Sequence, residues 1–96
     1  MKPKVFVTQP IPEIALDVLQ QAFDISVYPH MDRQISVDEL VANARRSDWL
    51  FVLHETNVTA EVIYANPGLQ GIGAMASANP LIDMDAANAR KIPVII

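Results

Sequence analysis

Two histidines, no cysteine and one run of small side chains carry most of the chemistry open to this 96-residue chain. His54 is the more telling of the pair. It follows the apolar run Trp49-Leu50-Phe51-Val52-Leu53, which reads as a buried strand, and so falls at the rim of a sheet. An imidazole placed there can hydrogen-bond an acid. A loop histidine packed on its neighbours is the plainer account of the same residue. Glu55 can hold a proton beside it, or is simply a surface carboxylate, and His30 lies in a polar loop and reads as solvated. The second candidate is Ala76-Ser77-Ala78-Asn79. Small side chains let a ligand approach the backbone, whose N–H groups can then grip a carboxylate. Close packing of a helix on a sheet asks for the same small residues on steric grounds, and both readings stand.

Several other sites fail on residue type. Without cysteine there are no disulfides, thiolate zinc sites or cysteine nucleophiles. Two histidines would need carboxylates to complete a metal site, and none is spaced for it. Gly68, Gly71 and Gly73 do not supply GxGxxG. A phosphate cradle needs free N–H groups after the first strand, where Pro10 and Pro12 remove two. A phosphoacceptor site needs carboxylates at the ends of the first and third strands, where Thr8 and Leu53 stand. Net charge is −4, which argues against a nucleic-acid partner. No apolar run approaches the roughly 20 residues that span a bilayer, and the start does not read as a secretory signal. With 51% hydrophobic and 19% charged residues, the expectation is one soluble, cytoplasmic domain over residues 1–96.

Positioning these candidates requires alternating strands and helices. Lys4 to Thr8 is β-branched and aromatic, and Pro12 suits the first position of a helix over roughly 12–22. Asp24 to Tyr28 alternates polar and apolar, as an edge strand does. Ser36-Val37-Asp38-Glu39 is a capping box opening a helix that ends near Arg45-Arg46. Trp49 to Leu53 is apolar throughout, so both its faces should be covered. Thr59 caps a short helix to about Ala65, Leu69 to Met75 is a weaker strand, Asp83 caps a helix ending at Arg90-Lys91, and Pro93 to Ile96 is a fifth strand. Five strands joined by four helices predict an α/β fold, a flavodoxin-like open parallel sheet of order 2-1-3-4-5 with helices on both faces. A final covering helix is lacking, so part of one sheet face should lie bare and invite a partner.

The opening Lys4-Val5-Phe6-Val7-Thr8-Gln9-Pro10-Ile11-Pro12 resembles the start of D-isomer-specific 2-hydroxyacid dehydrogenases, in particular their glyoxylate and hydroxypyruvate reductase branch. So do Ala60-Glu61-Val62-Ile63 and Pro67-Gly68-Leu69-Gln70-Gly71-Ile72. The most specific piece, Ile82-Asp83-Met84-Asp85-Ala86-Ala87-Asn88-Ala89-Arg90-Lys91-Ile92-Pro93-Val94, is similar to the family's Asn-Ile-Asp, Ala-Ala, Arg-Gly-Ile-Pro-Val signature. The resemblance covers the chain and the first third of a family member. It implies the N-terminal part of a substrate domain, with the NAD(P)-binding Rossmann domain and the catalytic Arg, Glu and His further along, so no catalytic residue and no bound cofactor are expected here. It also implies that Ala76, Ser77, Ala78 and Asn79 hold the carboxylate of a small 2-hydroxy or 2-oxo acid through backbone N–H groups, and that His54 lines the same pocket. Ala78 stands where the family usually has glycine, Pro80-Leu81 where it has Asp-Asn, and Lys91 at a position that is commonly glycine. The expected function is substrate positioning within an NAD(P)-dependent oxidoreductase, the chain alone being inactive and associating, as a homodimer or otherwise, through its apolar sheet face. A free-standing acid-binding or dimerisation module is the alternative.

Overall fold

The computed structural model describes residues 2–53, 56–74 and 81–95. In chain order the elements are β1 (Lys4–Val7), α1 (Glu13–Gln20), β2 (Asp24–Val27), α2 (Val37–Ala44), β3 (Trp49–Val52), β4 (Asn57–Val58), α3 (Ala60–Tyr64), β5 (Gly71–Ala74), β6 (Leu81–Ile82), α4 (Met84–Ala89) and β7 (Val94–Ile95). Five strands form a parallel sheet in the order β2-β1-β3-β5-β7. This is the predicted order once two short strands are set apart. Those two, β4 and β6, pair in parallel as a separate ribbon that the sequence reading missed, because two residues carry no periodicity.

Register explains how the sheet divides its side chains. Phe6, Leu50, Ile72 and Val94 lie in one cross-strand row; the first three belong to the core with residues of α2, α3 and α4, and Val94, half-buried, packs against it. Leu40, Val41 and Ala44 of α2, Val62 and Ile63 of α3, and Ala86 and Ala87 of α4 supply the covering layer. The alternate rows, Ile25-Val5-Trp49-Gly71 and Phe51-Gly73-Ile95, point to the opposite face. There α1 is the covering helix among the described residues, through Leu19 and the following Phe23. Trp49 and Phe51 are therefore half-buried, which corrects the expectation that both faces of their strand are covered.

Local chemistry sets the helix ends. Ser36 Oγ accepts from Glu39 N at 3.1 Å while Glu39 Oε1 accepts from Ser36 N at 3.1 Å, so the capping box is closed in both directions. Pro12 occupies the N-cap of α1 instead of its first turn, and α1 is shorter than its apolar spacing predicts. Thr59 is the N-cap of α3 but makes no capping bond, and its buried hydroxyl has no hydrogen-bond partner among the described residues. Lys91 follows α4 with φ 56°, the left-handed region. There Ile92 N donates to Ala87 O at 2.9 Å and Lys91 N to Asn88 O at 3.1 Å, the paired bonds of a Schellman ending.

Candidate functional site

Ligands in open parallel sheets sit beyond the carboxyl ends of the strands, where the strand order reverses. Here that point lies between β1 and β3. Val7 is in register with Phe51, and Val52 with Ala74, so β1, β3 and β5 end side by side. Thr8, just past β1, is 2% exposed and must find partners for its hydroxyl. Its Oγ1 accepts from Leu53 N at 3.0 Å and lies 3.2 Å from Thr56 Oγ1, which donates to Leu53 O at 2.6 Å. Thr8 N donates to Phe51 O at 3.1 Å. The two threonines thus tie the chain on either side of residues 54 and 55 to the end of the first strand.

The same frame extends to the next connection. Leu81 N donates to Thr56 O at 3.2 Å and Asp83 N to Val58 O at 2.9 Å. With Asn57 opposite Leu81 and Val58 opposite Ile82, the ribbon holds the far end of residues 75–80 against the far end of residues 54–55. Their near ends, Val52 and Ala74, are already paired in the main sheet. Both connections therefore start side by side and finish side by side. Sequence reasoning named Thr8 as a rim residue but passed over Thr56 and the ribbon. Thr8 and Thr56 each follow an apolar strand, but no local pattern signals that their hydroxyls meet across 48 positions.

His54, Ala76, Ser77, Ala78 and Asn79 all lie outside the described residues, as does Glu55. What the structure describes is their mounting. The N-terminus of α4 is closed by its own cap, Asp83 Oδ1 accepting from Ala86 N at 3.0 Å, so this short helix offers no open end to an anion. His30 is exposed, its ring edge-on to Tyr28 with centroids 5.2 Å apart. Arg46 donates to Asn43 Oδ1 at 3.2 Å and is exposed. Among the described residues no group of three His, Asp or Glu side chains could hold a metal ion, and no helix is long and apolar enough to cross a membrane.

The comparisons with known proteins agree with this architecture. Residues 5–96 match the family described as D-isomer specific 2-hydroxyacid dehydrogenase, catalytic domain. The chain belongs to that family. It is 33% identical over 94 residues to a glyoxylate reductase of Thermococcus kodakarensis, covering 98% of this chain and 28% of the relative. Against a glyoxylate reductase of Thermofilum pendens the identity is 37% over 93 residues, covering 97% and 27%. Among solved structures it is similar to a putative D-isomer specific 2-hydroxyacid dehydrogenase, NAD-binding, from Polaromonas sp. JS6 66. The TM-score is 0.86 and the identity 29%, over 98% of this chain and 30% of that one. The chain thus spans under a third of the length of the relatives it matches.

Such relatives raise the question of a nicotinamide cofactor, and the described residues do not fit one. A dinucleotide fold cradles pyrophosphate on the N–H groups of a glycine turn and helix N-terminus after its first strand. Here Pro10 and Pro12 lack those groups, Pro12 is itself the N-cap of α1, and Thr8 Oγ1 is committed to Leu53 and Thr56. What this rim does is hold the residues that flank the two connections side by side.

Proposed function

We propose that residues 1–96 are the N-terminal part of the substrate domain of an NAD(P)-dependent D-2-hydroxyacid dehydrogenase, acting on the CH–OH of 2-hydroxy acids or on 2-oxo acids such as glyoxylate. Their task is to hold the acid's carboxylate while redox chemistry is carried by polypeptide elsewhere. The supporting observation is the frame at the carboxyl ends of β3 and β5, which sets the ends of segments 54–55 and 75–80 side by side. In this reading the peptide N–H groups of Ala76, Ser77, Ala78 and Asn79 hold the carboxylate and His54 lines the pocket beside them. The contribution to rate is orientation of a bound acid, with no proton or hydride passing through this chain. Nicotinamide binding belongs to a Rossmann domain outside these residues. The setting is cytoplasmic, and the uncovered sheet face makes the isolated chain prone to associate.

The test is to add glyoxylate and NADH to the purified chain and follow NADH by absorbance, with glyoxylate binding measured in parallel by calorimetry. The expected result is acid binding without NADH oxidation. Robust turnover would place the redox machinery in this chain and overturn the assignment, and absence of any acid binding would remove the carboxylate-holding role.

A further inference from the structure

Just past β3, a side chain replaces the backbone in the hydrogen-bond ladder. In a parallel pair the bonds are evenly spaced and slanted, each bridging residue bonding to two on its neighbour. Thr8 N donates to Phe51 O in that pattern, and the next bond would run from Leu53 N to the Thr8 carbonyl. Leu53 N donates instead to Thr8 Oγ1, at 3.0 Å. The hydroxyl thus stands where a main-chain oxygen would. Leu53 is buried, so its N–H needs that acceptor once the first strand has ended at Val7. The replacement falls between β1 and β3, where the strand order reverses.

The protons around Leu53 can run in one direction only. Thr56 Oγ1 lies 2.6 Å from Leu53 O, and a carbonyl only accepts, so the single Thr56 hydroxyl proton points there. Thr8 Oγ1 and Thr56 Oγ1 are 3.2 Å apart, and Thr56 has no second proton, so Thr8 is the donor in that contact. The bonds close a ring: Leu53 N–H to Thr8, Thr8 to Thr56, Thr56 back to the Leu53 carbonyl. Both threonines are buried, and hydrogen bonds aligned head to tail in a dry setting polarise one another. Loss of either hydroxyl opens the whole ring. A valine would fill the same space at either position, but it could hold neither polar group of Leu53.

We propose that Thr8 and Thr56 are positioning residues for acid binding: their hydroxyl ring sets both polar groups of Leu53, and the rim takes a small carboxylic acid only while the ring is closed. The inference rests on the reading that this rim holds an acid. Leu53 is the residue from which segment 54–55 departs, and Thr56 the one at which it returns. Coupling between ring and acid is reciprocal. If opening the ring weakens acid binding by some factor, bound acid disfavours opening by the same factor. A ring that served stability alone would leave the two independent.

The full 96-residue chain and its Thr8→Ser, Thr8→Val, Thr56→Ser and Thr56→Val variants are titrated with glyoxylate by calorimetry, with folding checked by circular dichroism. Each serine variant keeps the ring and should bind within about twofold of the parent, while each valine variant should bind about tenfold more weakly. The double valine variant should lose no more than either single one, because one missing hydroxyl already opens the ring. Amide hydrogen exchange on the parent needs no variant and decides the matter if valine prevents folding. Saturating glyoxylate should slow exchange at Leu53 by about tenfold and leave Asp24 and Asp48, bonded at the amino ends of the strands, unchanged. Valine variants that bind as the parent does, serine variants that fail as valine does, additive losses in the double variant, or a Leu53 amide indifferent to glyoxylate would each overturn the proposal. Acid binding intact in parent and valine variants alike removes this inference alone. A parent chain that binds no glyoxylate removes the carboxylate-holding role, and the positioning role with it.

Discussion

Lys91 holds a conformation that glycine adopts without cost. A side chain at positive φ is strained, while the Schellman bonds through Lys91 and Ile92 fix the backbone regardless of residue type. Lys91→Gly should therefore stabilise the chain by about 0.5–1 kcal/mol, part of the gain being offset by the freer unfolded backbone. Chemical denaturation would show a higher midpoint at unchanged slope. Thr8→Val works in the other direction, because it leaves Leu53 N without its acceptor in a buried position. About 1–2 kcal/mol of stability should be lost, read as a lower urea midpoint. Lys91 was visible in the sequence as a departure from a pattern. The threonine pair was not, since nothing in the order of residues says that Thr8 and Thr56 meet 48 positions apart.

At the scale of elements, α2 was the most legible piece because its capping box is a local code. Glu39 closes that box, also accepts from Tyr28 Oη at 3.2 Å, and sits 3.7 Å from Arg33. Its carboxyl is held below the ordinary value of 4.5, chiefly by the Ser36 N–H, then by the Ser36 hydroxyl, Tyr28 and Arg33. A group whose pKa falls on folding stabilises above its unfolded value, and that contribution is lost as pH drops through the folded one. The urea midpoints of the parent chain and Glu39→Gln should therefore be furthest apart above pH 4.5 and converge below it. β5 was the least legible strand, its glycines reading as weakness. The structure gives one of them a reason: a Cβ on Gly71 would collide with the Trp49 ring. Gly71→Ala should cost about 1–3 kcal/mol, with a change in Trp49 fluorescence as the ring is displaced.

Over the whole molecule, the order of the five main strands could be read from the sequence because each βαβ step is right-handed and each strand is bounded by turn residues. The bare face followed from the same rules. The ribbon of β4 and β6 did not, being specified by contacts across the fold and not by local pattern, yet it pairs the residues that follow the two candidate connections. The central claim is that this rim grips an acid by its peptide amides. Amide NMR spectra of the isotopically labelled chain during a glyoxylate titration test it most directly. The account predicts saturable shifts concentrated at Ala76, Ser77, Ala78, Asn79 and His54, with the opposite end of the sheet unmoved. Shifts clustered at the amino ends of the strands, or spread evenly over the surface, would contradict it.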